Sequence, residues 1–421
     1  MYHKARHLAS RRAATWYNIY TSDRQSVSER KDKTMMNKFW FSNKELCPCG
    51  SGEIYSICCK RKMPKVFHNN NEALHFTGQM LKKSKRRFCL YEGCNGKGKN
   101  IIRAHALQEN RILNKLADNG NVIMQDFSKD PVILEITKGQ PEPFYFLTEV
   151  PISTATTATC FCKTHDDLLF AKIEKSQYDL QSLNSEQCFL FAYKTFSFEL
   201  YTQIAAQKFN TLMFANVPQT TKNPIVVNQY RNGKEKLEDL QCYKTYYDNA
   251  LKNKDFTGLE TIILEIPFEI QFANYMAISP PFDITGKKIH AFDKATKRLK
   301  FIFFTSFPIE KKSYILVSAL KEDMKYFSKY FKEIRNAPLD LVEYYINTLI
   351  PLYSQNLIIS PLLWNRWSEK AQCGVQFAVA DPHSSKMMYG VKCYLRQIAK
   401  SKQSVNVSSS DIAFNFFLEP K

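Results

Sequence analysis

Residues 47–59 read Cys-Pro-Cys-Gly-Ser-Gly-Glu-Ile-Tyr-Ser-Ile-Cys-Cys. Cys47 and Cys49 form one pair, and Cys58 and Cys59 form a second after eight intervening residues. Four thiolates this close together can wrap one tetrahedral Zn²⁺. Gly50 and Gly52 let the backbone turn tightly enough for both pairs to face the same ion. The bland alternative is a disulfide cluster or a set of unrelated thiols.

A second constellation is spread more widely. Cys89-x4-Cys94 encloses Gly93 and precedes Gly96 and Gly98, as a metal knuckle would. Much later, Cys162-x2-His165 sets two ligands one turn apart at the start of an expected helix. Cys89, Cys94, Cys162 and His165 together supply a Cys3His zinc site. Ligands from a turn and from a distant helix start follow the plan of a treble-clef finger. Cys160 competes for a ligand position, and the alternative is unpaired buried thiols beside a core histidine.

The first group, Cys-x-Cys-x8-Cys-Cys with an internal Gly-Ser-Gly, closely resembles the SEC-C motif. That motif is the small zinc module at the C-terminus of the SecA translocase and recurs in many unrelated bacterial proteins. The resemblance covers roughly 20 residues and implies a zinc module. By analogy with the translocase module, it also implies a protein-binding adaptor that docks a chaperone or ribosomes. The segments Ala104-His105-Ala106-Leu107-Gln108 and Phe161–Phe170 resemble an uncharacterised group of bacterial proteins. These often carry a SEC-C motif and are met among genes of defence-like or unknown function. The implied context is bacterial and anti-phage, with no mechanism attached.

The order of Cys knuckle, His105 and Cys-x2-His also resembles HNH nucleases with structural zinc. It implies His105 as the general base against a phosphodiester, with a further ion such as Mg²⁺ on the leaving oxygen. The sequence departs from that pattern at Ala104, where an acidic metal ligand is usual. Asn110 could serve as the HNH Asn and Asp166 as an acidic ligand, and neither stands at a diagnostic spacing. His105 is equally readable as an alternative zinc ligand, an orienting residue or a satisfied core histidine. Asp381-Pro382-His383 and His290 show no partner in sequence.

Charge points to the partner. The chain of 421 residues carries a formal net charge of +19. Residues 1–100 hold 21 Lys+Arg against 7 Asp+Glu, and residues 101–421 hold 38 against 33. The first quarter is therefore the expected contact surface for a polyanion. Its densest run is Lys82, Lys83, Lys85, Arg86 and Arg87, directly ahead of Cys89. Phe67, Phe76 and Phe88 are interleaved, which suits phosphate contact with base stacking. The expected partner is nucleic acid or a ribonucleoprotein, and the bland reading is a solvated linker.

No run of 18 or more apolar residues suggests a transmembrane helix. No apolar stretch opens the chain as a secretory signal would. Thiols kept as ligands imply a reducing, cytoplasmic setting. Neither a P-loop, a GxGxxG nor a Ser-His-Asp order stands out.

These sites need elements to hold them, and the expected fold is α+β. A basic flexible tail spans 1–42, with a start expected near Met36. The SEC-C-like module takes 43–64, and a basic linker with the treble-clef-like unit takes 65–180. Residues 181–255 form a helical segment, from the 3- and 4-residue spacing of Phe189, Ala192, Tyr193, Phe196, Leu200 and Ile204. Residues 256–421 form an antiparallel sheet with helices. Alternation at Ile262, Leu264, Ile266 and Phe268 marks strands, as do Leu299–Phe304 and Ser313–Leu320. Helical spacing returns over 322–335 and 339–354, and Pro361 opens another helix.

Overall fold

The computed structural model describes residues 40–94, 100–129, 132–137, 140–175, 182–354, 356–380 and 414–420. The tail over 1–39, Gly96, Gly98 and Asp381-Pro382-His383 lie outside them. Phe41, which the sequence reading left in the tail, is buried against the first cysteine group.

The stretch between the two Cys groups holds α1 (Asn70–Ser84), whose cap Asn69 accepts a hydrogen bond from Glu72 N. Short strand β1 (Ala104–His105) leads into a π-helical turn at Glu109–Leu113. Then come β2 (Asn121–Gln125), β3 (Val132–Thr137), β4 (Gln140–Phe144), β5 (Leu147–Pro151) and β6 (Thr157–Ala158). β6 pairs with β1, and β3 with β4. Next are α2 (Lys163–Glu174), α3 (Ser185–Asn216) and α4 (Pro224–Asn253).

Helices α3 and α4 pack as a long hairpin. The first starts where spacing predicted, because Asn184 and Gln187 close a reciprocal capping box. The second begins at Pro224, inside the helical segment expected over 181–255. Pro224 is tolerated at its first turn, where a missing N–H costs nothing, and Asn223 accepts from Ile225 N and Val226 N.

The remaining strands are β7 (Leu259–Ile266), β8 (Phe272–Ile278), β9 (Phe292–Asp293), β10 (Arg298–Leu299), β11 (Ile302–Ile309) and β12 (Lys312–Leu320). Helices α5 (Met324–Asn336) and α6 (Leu339–Tyr353), strand β13 (Ile358–Ile359), α7 (Pro361–Arg366) and α8 (Glu369–Ala380) follow. Seven strands form one antiparallel sheet in the order β5-β2-β13-β8-β11-β12-β7. The sheet thus joins strands from 121–151 to strands from 259–359. Its joint is β13, where Ile359 faces Ile123 on one side and Phe272 on the other.

Both faces of the sheet are covered, so its central strands are buried along their whole length. Phe272, Met276, Phe304, Ile315 and Val317 point into a core shared with α5, α6 and α8. Their neighbours Ala273, Tyr275, Phe303, Tyr314 and Leu316 point into a second core under α3 and α4. Period-two alternation selects the face, while continuous burial explains why the polar half of the pattern is missing.

One carboxyl in this layer is held against its preference. Glu343 on α6 is raised to about 7, by burial first and then by Asp340 and Glu419. Its folded value exceeds the unfolded one, so the protonated form favours the native state. The resulting penalty is absent at pH 4, grows through the window between the two values and is complete above pH 7. Glu343→Gln is expected to be more stable than the parent by about 1–2 kcal/mol at pH 8, after allowance for solvent screening, and no more stable at pH 4. Urea unfolding at the two pH values measures this. Equal differences at both would show that Glu343 does not feel its surroundings.

Candidate metal centres and the basic strip

Among the described residues two groups of four can hold a metal ion: Cys47, Cys49, Cys58 and Cys59, and Cys89, Cys94, Cys162 and His165. In each group the donor atoms all lie within 4.8 Å of one another. A tetrahedral zinc–thiolate site has edges of roughly 3.8 Å, so small inward shifts suffice.

The first group is assembled by a tight double turn. Cys47 N donates to Glu53 O at 2.7 Å and Gly50 N to Cys47 O at 3.2 Å. Gly50 and Gly52 both have left-handed φ, +77° and +83°. A Cβ on Gly50 would also meet Thr211 Cγ2 at 3.3 Å, so this glycine serves the turn and the approach to α3. Cys49 and Cys58 sulfurs stand 3.5 Å apart. Burial raises the Cys47 and Cys59 thiols. At Cys49 burial acts upward but is outweighed by hydrogen bonds from Ser51 and its neighbours, which bring it down to about 7.

This module sits on the tip of the α3–α4 hairpin. Phe41, Tyr55, Cys47 and Cys59 form a small apolar cluster with Phe214 of α3 and Val227 of α4. Tyr55 Oη and Thr221 Oγ1 are 3.1 Å apart, and Arg231 donates to Glu45 at 2.9 Å while lying over the Phe41 ring. The cluster is separate from the two cores that flank the sheet.

The second group is built differently. Cys94 N donates to Tyr91 O to close the knuckle, with Gly93 at φ +72°. Cys162 is the cap of α2, and His165 lies in its first turn. Cys162 Sγ and Cys89 Sγ stand 3.1 Å and 3.5 Å from His165 Nδ1. Tyr91 stacks on the His165 ring at 4.1 Å and fixes its plane. The two chain segments are stitched together by Leu90 N to Cys160 O and Ile102 N to Phe161 O. Burial pushes the Cys89 thiol up to about 12. A divalent ion held here would supply the positive charge that favours thiolate at Cys89.

Cys160 is not a member of this group. It is fully buried in the core beside Phe161, and burial raises its thiol well above the ordinary value. His105 is not a member either. Its Nδ1 lies 3.0 Å from Ala155 O and its Nε2 lies 3.3 Å from Glu109 Oε2. Burial lowers its pKa, against the pull of Glu109. Among the described residues no group able to hold an ion includes His105, Asn110 or Asp166. Asp166 is raised to about 6 by burial, and Asn110 is exposed.

Lys82 and Lys83 end α1, and Lys85, Arg86 and Arg87 continue outward, all five exposed. Their backbone is anchored, because Arg86 O accepts from Tyr201 Oη at 3.0 Å and Thr159 Oγ1 at 2.7 Å. Arg87 donates to Ile101 O at 2.7 Å, so one cation of the run also braces the knuckle. The interleaved rings turn inward. Phe88 stacks on Tyr201, and Phe67 packs on Phe76 beneath Lys65. Sequence reasoning missed a different surface. Of the eight exposed large apolar residues described, six fall within 40–66: Trp40, Leu46, Ile54, Ile57, Met63 and Val66. Adjacent charges hid this patch, since no periodicity sets it apart. No described helix is long and apolar enough to cross a membrane. Compared with known proteins, the chain matches no family model, no curated protein and no solved structure.

Proposed function

We propose that this chain is a two-site zinc protein that binds nucleic acid or a ribonucleoprotein through the basic strip at Lys82–Arg87. Both donor sets suit zinc, one of four thiolates and one of three thiolates with an imidazole. The first is read as a SEC-C-type module and the second as a treble-clef-like unit. The observation that carries the function is the anchored strip, in which Lys82, Lys83, Lys85 and Arg86 are exposed while Arg86 O is held by two hydroxyls. A fixed backbone with free cations suits phosphate contact.

The test replaces Lys82, Lys83, Lys85 and Arg86 with Gln and leaves Arg87 to brace Ile101 O. Affinity for duplex DNA or single-stranded RNA is expected to fall. The log–log salt slope should flatten by up to about 3.6 for a duplex, at about 0.9 per lost contact. Metal content should stay the same. Unchanged affinity and slope for both nucleic acids would sink the reading.

A second reading is favoured by the exposed apolar residues in and beside the first module. Met63 is 84% and Val66 76% exposed, which suits a protein-docking surface better than phosphate contact. Met63→Ser with Val66→Ser would then abolish a nuclease-resistant protein contact and spare nucleic-acid binding. The hydrolytic reading has the least support, because both His105 nitrogens have partners and, among the described residues, no group able to hold a metal includes His105.

A further inference from the structure

Residues 414–420 form neither helix nor strand, yet Phe414, Phe416 and Phe417 are buried. Side chains of the host read their backbone. Asn347, fully buried on α6, donates from Nδ2 to Phe414 O at 3.1 Å and accepts from Phe416 N at 2.7 Å. Trp367 Nε1 donates to Asn415 O at 3.1 Å, and Arg366 Nη1 to Glu419 O at 2.7 Å. The rings fill aromatic sockets. Phe416 packs on Phe272 and Trp367 at 5.3 Å and 5.2 Å, and Phe417 packs on Phe272 at 5.2 Å. The segment supplies its own turn, since Asn415 Oδ1 accepts from Phe417 N.

A core strand satisfies its backbone through a ladder. This segment satisfies it through an amide, an indole and a guanidinium that belong to other elements. That is the chemistry by which a protein recognises a peptide, with side chains fixing the main chain and pockets selecting residues. We propose that β8, α6 and α7 form a peptide-recognition groove for an extended Phe-x-Phe-Phe segment. In this chain the groove holds residues 414–420 as a self-ligand. The covalent tether raises the local concentration of the segment to the order of mM, so even micromolar intrinsic affinity keeps the groove filled.

The experiment uses the full chain with a protease recognition sequence inserted after residue 400. The chain is cut in place and incubated with a fluorescent synthetic peptide of residues 411–421. The expected result is saturable exchange of the labelled peptide into the groove, reversed by unlabelled peptide. Because ring removal from a buried socket is costly, a Phe416→Ala peptide should compete about 100-fold less well or worse. Any of three outcomes of the cut overturns the proposal. The cut fragment never exchanges; it leaves a folded host that does not rebind peptide; or cutting unfolds the host and added peptide fails to restore it. Equal competition by the Phe416→Ala peptide also overturns it.

Discussion

Cys162→Ser is expected to remove one of two bound metal ions and to destabilise the main body of the protein by more than about 5 kcal/mol. Structural zinc contributes on the order of 10–16 kcal/mol to the fold that it organises, and a lost thiolate forfeits much of that. The cost falls on the main body because this site is built into it. Cys162 caps α2, whose Phe170 and Ile173 are buried in the core beneath α3 and α4. Cys58→Ser with Cys59→Ser should behave differently. It should also remove one ion, yet leave the main melting transition nearly unchanged, because that module meets only the hairpin tip. Elemental analysis of protein purified without chelator, paired with calorimetry, separates the two. One ion in the parent would remove a site. A collapse of the main transition in the Cys58/Cys59 variant would show that the module belongs to the main core.

Asp323→Ala is expected to cost about 3–5 kcal/mol, the penalty for stranding the partners of a buried charge. Asp323 is 1% exposed. It accepts from Tyr243 Oη at 2.6 Å and pairs with Lys300 at 2.9 Å. Tyr243 Oη in turn accepts from Phe301 N at 2.8 Å. One carboxylate therefore ties α4, the start of α5 and the approach to β11. Tyr243→Phe should cost less, about 1–3 kcal/mol, because the group lost is a neutral hydroxyl, although the Phe301 N–H that it accepts from is also left without it. The double change should cost less than the sum of the two, as expected for coupled neighbours. Denaturant unfolding supplies all three values. An additive double change would show that the two groups act independently.

The sequence declared both metal groups because ligand chemistry is local and sparse. Few uses other than a metal site explain Cys-x-Cys and Cys-Cys eight residues apart, and Cys162-x2-His165 marks a helix start that the structure confirms. Helix α3 was legible as a helix within the expected 181–255 segment, because its aromatic residues recur at 3- and 4-residue spacing. Strands β2 and β5 were not legible. Their five-residue lengths carry little periodicity, and the strand that joins their pair to the rest of the sheet, β13, lies far away in sequence. The peptide-like segment was equally hidden. Phe-Asn-Phe-Phe reads as an unremarkable apolar patch until Asn347, Trp367 and Arg366 are seen to grip its main chain. His105 was ambiguous in sequence. Its neighbourhood suggested catalysis, ligation or a core role, and in the structure the imidazole lies between Ala155 O and Glu109, outside both metal groups.

The two-residue strand β13 carries a consequence for how the protein is made. Ile123 waits for Ile359 as its partner, and nothing closer in sequence takes that edge of β2. At synthesis rates of roughly 5–20 residues per second, that interval of roughly 240 residues lasts on the order of 10–50 s. Throughout it, β2 and β5 are an unfinished ribbon on the nascent chain, with an open edge available to other chains. The metal site at Cys162 can close long before then, because its last ligand is His165. Ion capture would give the emerging N-terminal half an early anchor, and zinc starvation during translation should raise aggregation more than zinc removal from the finished protein.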